Sequence, residues 1–365
     1  SAQLAAAHPV SGGTYEYGYR FLNPTLGFLA GWMFLLAKSA SAATAALGLS
    51  GYALNLFAHD DEWLVPLAMA AILVIVLIVL RGIRRSAQVN LVVVTVTIVA
   101  LAVFVAATIS ELDSANFMPF FESGGLPFFE ATALMFVACT GYGRIATLGE
   151  EVHHPRRTIP LAIGLTLLVT AVIYVSVAVA AIGAAGADGF AAITEATAAP
   201  LEAIARAMDK PAVATLVAIG AVTAMLGVLL NLVLGLSRVL MAMGRRGDMP
   251  SATARLDRAG TTPYVAVVVI GVVVALLAFS GDIRLTWTFS AFTFLIYYAL
   301  TNASALRLRS EQRLLPRWLA WAGVGSCLFL VLFIDPMVWL IGLGVMVVGL
   351  VWHQVALRSA SRPPG

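Results

Sequence analysis

Long apolar stretches separated by short polar loops fill this chain from residue 26 to residue 356. A helix needs about 20 consecutive apolar residues to cross the hydrocarbon core of a bilayer. Ten stretches are of adequate length: 26–50, 63–81, 88–109, 128–149, 158–184, 212–243, 263–280, 285–307, 317–334 and 336–356. The longer loop 184–211 is more polar, and its sequence predicts short surface helices with acidic edges. The pattern therefore predicts an all-α polytopic membrane protein with ten spans.

One apolar stretch is interrupted near its middle. A helical pattern that starts at residue 128 is broken by Thr140-Gly141-Tyr142-Gly143, and the segment ends in EEVHHPRRTIP (150–160). Lipid cannot hydrogen-bond the backbone groups that a break releases, so each unsatisfied group would cost several kcal/mol. A break is tolerated where it lines a polar cavity, which in transporters holds the substrate. The alternative is a glycine kink packed against a neighbouring helix.

The break is the first candidate site. Carbonyl groups at the C-terminal end of a half-helix attract an ammonium group, and the N-terminal end of the next half-helix attracts a carboxylate. We therefore predict a substrate-binding site formed by the residues around the break: Phe136, Ala138, Cys139, Thr140 and Gly141.

Composition agrees with a membrane protein and excludes other classes. Hydrophobic residues make up 61% of the chain, charged residues 11%, and the mean hydropathy is +0.94, whereas soluble proteins carry about 25% charged residues. The net charge of +3 is too small to indicate a nucleic-acid partner. Cys139 and Cys327 lie in apolar runs, so the sequence predicts neither a disulfide framework nor a metal site. We expect no cofactor and no catalytic residue.

Arginine residues orient the predicted spans. The alternate loops on one side contain only Arg206, Lys210 and Arg284 as basic residues. The loops on the other side contain most of the arginines: Arg20, Arg81, Arg84, Arg85, Arg156, Arg157, Arg245, Arg246, Arg255, Arg258, Arg307, Arg309, Arg313, Arg317, Arg358 and Arg362. Because basic loops remain on the cytoplasmic side of a membrane, we predict that this side and the C-terminus are cytoplasmic.

Three ordered motifs carry a resemblance to a known family. They are HPVSGGTYEYGYRFLNPTLGFLAGW (8–32), TGYGRIATLGEEVHHPRRTIPLAI (140–163) and SRVLMAMGRRGDMP (237–250) followed by TTP (261–263). In this order they resemble three parts of the amino acid–polyamine–organocation (APC) permeases: the start of the third helix, the broken sixth helix with its following loop, and the end of the eighth helix. The motifs extend from residue 8 to residue 263, an interval that covers most of the chain.

The resemblance implies a transporter fold of twelve helices, with two inverted five-helix repeats and two extra C-terminal helices. One transmembrane domain would occupy 1–365: the end of the second helix and a cytoplasmic loop (1–25), helices three to ten (26–307), and helices eleven and twelve with a cytoplasmic tail (308–365). The first helix and most of the second would then precede Ser1, in a longer protein or lost in a truncated paralogue. In this family the carbonyls of the broken sixth helix hold the α-amine of the substrate.

Lys38 is the second candidate. It lies about 18 Å along a helix that starts near Leu26, at 1.5 Å per residue, which places a charge deep inside a predicted span. Small and polar residues along this helix predict close packing against protein: Ala37, Ser41, Thr44 and Gly48. Lys38 is predicted to carry a coupling proton, to replace a bound sodium ion, or to pair with a substrate carboxylate. The alternative is a lysine that snorkels to the outer interface or pairs with an outer carboxylate.

A third candidate is a cytoplasmic gate. Alternating access needs a closure on each side of the membrane, and ion pairs across the inner opening supply one. Glu150, Glu151 and Arg238 are the residues predicted to form it. The alternative assigns these charges to helix capping and to membrane topology alone.

The function predicted from these features is secondary active transport of amino acids or related amines by alternating access, coupled to protons or to exchange. The expected partners are the small-molecule substrate and the lipid bilayer, and the expected assembly is a monomer or a homodimer. A receptor or scaffold that keeps a transporter fold without transport is the alternative.

An intramembrane hydrolase is a third class. It would use Ser50, in the sequence Gly48-Leu49-Ser50-Gly51, together with His353. The predicted spans place Ser50 and His353 near opposite membrane faces, so we expect no dyad.

Overall fold

The computed structural model describes residues 1–8, 13–57, 61–82, 87–118, 124–143, 145 and 154–360. These residues form α-helices joined by loops and short 3₁₀ turns, and no strand occurs among them. The helices are α1 (Ala2–Ala7), α2 (Thr14–Phe21), α3 (Pro24–Leu56), α4 (Leu64–Leu80), α5 (Ala87–Thr108), α6 (Gly125–Ala138), α7 (Pro155–Ala185), α8 (Ala187–Ala196), α9 (Pro200–Ala207), α10 (Pro211–Arg246), α11 (Tyr264–Ala278), α12 (Ile283–Leu306), α13 (Arg317–Val331) and α14 (Pro336–Ala360).

Each predicted span overlaps one of these helices. Within the described ranges, six helices are long and apolar enough to cross a membrane, namely α3, α5, α7, α10, α12 and α14. Helices α4, α11 and α13 are apolar but shorter, and α6 runs for 14 residues before its α-helical geometry ends. The all-α, multi-pass prediction is confirmed, whereas the count of ten spans and the inverted repeat stay predictions. The loop 184–211 contains α8 and α9, as its sequence predicts.

Local sequence signals fix the ends of the long helices. The side chain of Asn23 caps α3 by accepting from the N–H of Leu26 at 2.8 Å, and Pro24 occupies the first turn of the helix. Helix α10 starts at Pro211, and Gly247 ends it with a φ of 88°, a left-handed conformation that a glycine adopts at little cost. These caps determine where the charged loops begin.

Two consecutive helix pairs share one apolar core. Buried side chains of α3, α4, α10 and α11 form a single cluster, in which Leu47, Ile72, Leu229 and Ile270 are examples. Helix α12 packs against the opposite side of α3 and also contacts α6, α13 and α14. Helices α3 and α12 are therefore the two most enclosed of the long helices, and their facing surfaces form the centre of the bundle.

The loops sort to two ends of the bundle. At one end, which we call the arginine-rich end, Glu16 pairs with Arg246 at 2.8 Å, and Arg156 donates to the backbone carbonyl of Glu311 at 2.9 Å. Helix α2, the start of α7 and the ends of α10, α12 and α14 meet there.

The opposite end holds the three basic residues that the sequence assigns to it, and each is paired with an acid. The pairs are Arg206 with Glu202, Lys210 with Glu111 at 3.2 Å, and Arg284 with Glu130 at 3.3 Å. The two loop sets of the sequence prediction thus correspond to two ends of the folded chain.

Candidate functional site

Helix α6 stops being an α-helix at Ala138. Residues Cys139–Tyr142 form a 3₁₀ turn, in which backbone N–H groups pair three residues back and not four. The N–H of Gly143 accordingly bonds the carbonyl of Thr140. The α-helical ladder therefore ends where the sequence predicts a break.

Side chains from neighbouring helices satisfy carbonyl groups at the end of α6. The last carbonyls of an α-helix have no α-helical partner and accept from other donors. Three aromatic side chains donate to carbonyls in and after the last turn of α6: Trp287 Nε1 to the oxygen of Leu134 at 3.0 Å, the Tyr174 hydroxyl to that of Ala138 at 3.0 Å, and the Tyr298 hydroxyl to that of Thr140 at 3.4 Å. The break is thus held by α7 and α12 in a polar environment inside an apolar bundle.

The five predicted substrate-binding residues differ in exposure. Thr140 is buried, and its hydroxyl donates to the carbonyl of Val137 at 2.7 Å. Gly141 is exposed, and a Cβ added there would meet no atom within 4 Å. Phe136, Ala138 and Cys139 are half-buried. The turn therefore presents Gly141 to open space while Thr140 anchors it to the protein.

An aromatic cluster on α12 surrounds the break. The ring of Tyr298 lies 5.3 Å from that of Phe136 and 6.0 Å from that of Tyr142, measured between centroids. On its own helix it lies 5.1 Å from Tyr297 and 6.2 Å from Phe294. The sequence analysis missed this cluster, although its spacing, three and four residues apart, indicates a common helix face.

Lys38 reaches the same cluster from α3. Its Nζ lies 4.7 Å from the ring centroid of Phe294, within the range of a cation–π interaction. Phe294 contacts Tyr298, whose hydroxyl bonds the carbonyl of Thr140. Two rings therefore connect Lys38 to the break, so the fold brings these two candidates to one region.

Polar contacts hold α3 against α12 next to Lys38. Ser290 donates to the carbonyl of Ala37 at 3.0 Å and lies 2.9 Å from the hydroxyl of Ser41. One turn further along, Thr44 bonds Thr286 at 2.9 Å. The close packing predicted from the small and polar stripe on this helix is therefore present, with α12 as the partner.

The predicted gate is described only in part. Glu150 and Glu151 lie outside the described residues. Arg238 lies on α10 with an exposed side chain, and it makes no ion pair with a carboxylate of the described residues. Its role in a gate stays a prediction.

A network that the sequence analysis missed links three helices at the arginine-rich end. The carboxylate of Asp248, directly after α10, is buried and accepts from Tyr15 at 2.6 Å and from Tyr19 at 2.7 Å. The Nδ1 atom of His353 on α14 lies 3.4 Å from the same carboxylate. Trp352 donates to the backbone carbonyl of Asp248 at 2.9 Å. Asp248 therefore connects α2, α10 and α14.

The guanidinium of Arg246 covers the two tyrosines of this network. Its Cζ lies 4.9 Å from the ring centroid of Tyr15 and 4.2 Å from that of Tyr19, and its ion pair with Glu16 holds it there. Burial, followed by the hydrogen bond to Asp248, raises the pKa of Tyr15 and of Tyr19. Both phenols are thus protonated donors at neutral pH.

The geometry excludes the hydrolase alternative. The hydroxyl of Ser50 is buried and donates to the carbonyl of Ala46 in its own helix at 2.8 Å. His353 stacks on Phe28, with centroids 4.5 Å apart. Phe28 and Ser50 lie on the same helix, α3, so about 33 Å of helical rise separates them, whereas a dyad needs contact at about 3 Å.

Comparison with known proteins places this geometry in context. The model of the family described as "Amino acid permease" matches residues 1–362 of the chain. An uncharacterized transporter of Mycobacterium tuberculosis is 38% identical over 340 residues, which cover 90% of this chain and 73% of the relative.

Two other relatives carry substrate names. The branched-chain amino acid permease BcaP of Bacillus subtilis is 27% identical over 394 residues, covering 99% of this chain and 82% of the relative. Cationic amino acid transporter 2 (vacuolar) of Arabidopsis thaliana is 28% identical over 330 residues, covering 84% of this chain and 51% of the relative. The family match extends over every helix that contributes to the break, to the aromatic cluster and to the Asp248 network.

Proposed function

Because this chain belongs to the amino acid permease family of the APC superfamily, a family of multi-pass membrane transporters and not of enzymes, we propose that it moves amino acids or related amines by alternating access. The observation that carries the proposal is the break after α6, where Gly141 faces open space beside carbonyls that accept from aromatic donors. The membrane is the cytoplasmic membrane, with the arginine-rich end inside. Transport is driven by protons or by exchange.

The carbonyls of the break bind the substrate ammonium group. A carbonyl oxygen has two lone pairs, so the oxygen of Ala138 can accept from an ammonium group while keeping its donor Tyr174. The negative end of the α6 dipole favours the same charge. Phe136 and Cys139 border this position, and the five predicted residues act together as the binding site.

Lys38 favours a substrate with a neutral side chain. Its ammonium group already occupies the face of Phe294, where a cationic substrate side chain would otherwise bind, and it repels a second cation. Lys38 then pairs with the substrate carboxylate, carries the coupling proton or takes the place of sodium. The name of the Bacillus relative, a branched-chain permease, agrees with a neutral substrate.

The two helix pairs of the core fit the inverted repeat. In two five-helix repeats, the third and fourth helices of the family correspond to the eighth and ninth. Helices α3 and α4 of this chain correspond to the third and fourth helices of the family. Helices α10 and α11 correspond to its eighth and ninth. Their shared apolar core supports a pseudo-symmetric scaffold against which the helices of the break rock.

The Asp248 network closes the arginine-rich end in this conformation. It joins α2, α10 and α14 through the two tyrosine hydroxyls that donate to Asp248 and through the neighbouring ring of His353. Opening toward this side must separate these helices or move them together. Glu150, Glu151 and Arg238 would contribute further charges to the same closure.

Uptake and substrate protection test the proposal. We expect saturable uptake of a labelled neutral amino acid, such as leucine, into liposomes that contain the protein. We also expect leucine to slow the alkylation of Cys139 at the break but not that of Cys327, which is buried in the apolar core. A receptor would give the protection without uptake. A lack of both would contradict the proposed site.

Lys38→Met tests the role of the lysine. We expect the variant to lose the pH dependence of uptake or to bind substrate without releasing it, because the charge beside Phe294 is gone. The measurement is the initial uptake rate and the substrate affinity as a function of pH, from about pH 5 to about pH 8. The other lysine of the chain provides the control: Lys210→Met, in an ion pair at the opposite end, should keep the wild-type profile. An unchanged profile and affinity for Lys38→Met would remove Lys38 from both coupling and binding.

A further inference from the structure

A cavity at the arginine-rich end is lined almost entirely by basic and polar side chains. Its volume is about 350 Å³, and its walls are formed by Arg20, Phe21, Arg307, Arg309 and Gln312. It lies between the end of α2 and the loop that follows α12, away from the break and from the Asp248 network. The transport function proposed above does not use these residues.

Three arginine side chains line this cavity. None of its three arginines makes an ion pair with a carboxylate of the described residues, whereas Arg206, Arg246 and Arg284 all do. The nearest acid of α2, Glu16, is already paired with Arg246. Like charges brought together without a counter-charge repel one another, so the cavity favours an anion.

The backbone holds two of these arginines in place. Arg307 caps the C-terminal end of α12, and its N–H bonds the carbonyl of Ser304 at 3.1 Å. Leu308 is buried in the apolar cluster beneath it. Gln312 accepts from the N–H of Arg309 at 3.3 Å and closes a short turn. Because Leu308 anchors the chain between them, Arg307 and Arg309 both remain exposed at the cavity.

Membrane topology explains the side on which these arginines lie, but it does not explain their convergence. The positive-inside rule concerns only which loops carry basic residues and not how their side chains are arranged. A planar guanidinium donates two parallel hydrogen bonds to a phosphate, which makes clustered arginines a common phosphate-binding arrangement. Basic cavities at the cytoplasmic ends of membrane helices bind anionic headgroups in this way.

We propose that Arg20, Arg307 and Arg309 form a binding site for a phosphate ester. The ligand is either the headgroup of an anionic lipid or a soluble organic phosphate, since both present the same group to the cavity. Binding joins α2 to the end of α12, the helix that carries Phe294 and Tyr298 to the break.

The experiment separates the two sources of phosphate. In one arm, the protein is placed in nanodiscs of phosphatidylglycerol or of phosphatidylcholine, and bound lipid and thermal unfolding are measured. In the other arm, glycerol 3-phosphate and inorganic phosphate are titrated against the protein in neutral detergent. The variant is Arg307→Gln/Arg309→Gln. The control is Arg255→Gln/Arg258→Gln, which removes the same charge from exposed positions in another loop.

We expect one arm to show binding that is weakened about tenfold or more in the Arg307→Gln/Arg309→Gln variant, because it loses charge-assisted hydrogen bonds. The control should bind as the wild type does. A response to phosphatidylglycerol alone identifies a lipid site, and a response to glycerol 3-phosphate identifies a site for a soluble phosphate. The proposal is overturned if neither arm responds, or if both variants lose binding equally. Equal thermal stability of the two variants in phosphatidylcholine excludes a folding defect.

Discussion

Replacing Gly141 with leucine is expected to abolish saturable uptake while leaving the protein folded. The added side chain starts in open space, because a Cβ at this position meets no atom within 4 Å. It fills the position proposed for the substrate. Leucine is also about 1 kcal/mol better than glycine in a helix, which favours α-helical geometry over the 3₁₀ turn.

The size of this effect follows from the bonds that the substrate loses. A hydrogen bond to a charged group contributes about 1.5–3 kcal/mol, so losing one ammonium–carbonyl contact weakens binding by about tenfold or more. Protection of Cys139 by substrate should disappear together with uptake. Both are measured on the purified variant, next to its thermal unfolding curve.

Gly325→Leu is the matched control. Gly325 lies on α13, is exposed, and has no atom within 4 Å of an added Cβ. It therefore tests the same substitution in open space away from the break, and we expect wild-type uptake. If Gly141→Leu transported as well as this control, the substrate would not use the space beside Gly141, and the proposed site would be wrong.

The break was predictable because its physical constraint is local. Thr140-Gly141-Tyr142-Gly143 interrupts an apolar helix, and lipid penalises released backbone groups wherever they occur. The same reasoning applies to the helix ends, because Asn23, Pro211 and Gly247 act within one turn. Local sequence therefore predicts where helices start, stop and break.

The partners of the break were not predictable in this way. Tyr298 bonds the carbonyl of Thr140 across a separation of 158 residues, and Ser41 meets Ser290 across 249. Hydrophobic periodicity indicates that these residues share a buried face with their neighbours, but it does not indicate which helix lies opposite. Their pairing depends on the packing of the whole bundle.

Lys38 combines a feature that local sequence predicts with one that depends on the packing of the bundle. Its position in an apolar helix beside small residues predicted packing against protein, and its ammonium group lies over the ring of Phe294. The connection from Lys38 to the break through Phe294 and Tyr298 required the three-dimensional structure. The role of the charge stays a prediction until the Lys38→Met profile is measured.

Asp248→Leu is expected to destabilise the protein by about 2–4 kcal/mol, since each buried group left without its partner costs about 1–3 kcal/mol. The substitution removes the acceptor of two phenols, and Tyr15 is the more deeply buried of them. It also leaves His353 beside an apolar side chain. Reversible unfolding in mixed micelles measures the loss, and Asp248→Asn, which keeps one acceptor oxygen and the size of the side chain, should lose less than half as much.

A double-mutant cycle with Tyr15→Phe isolates the hydrogen bond from general packing. In the wild-type background this change removes a bond of 2.6 Å, whereas in the Asp248→Leu background it removes a hydroxyl that has already lost its acceptor. The loss in the free energy of unfolding caused by Tyr15→Phe should therefore fall to near zero or change sign in the Asp248→Leu background. Equal losses in both backgrounds would show that the carboxylate and the phenol act independently.

If the network also closes the arginine-rich end, Asp248→Leu will speed the alkylation of Cys139 by a thiol reagent supplied from that side, and Asp248→Asn will not.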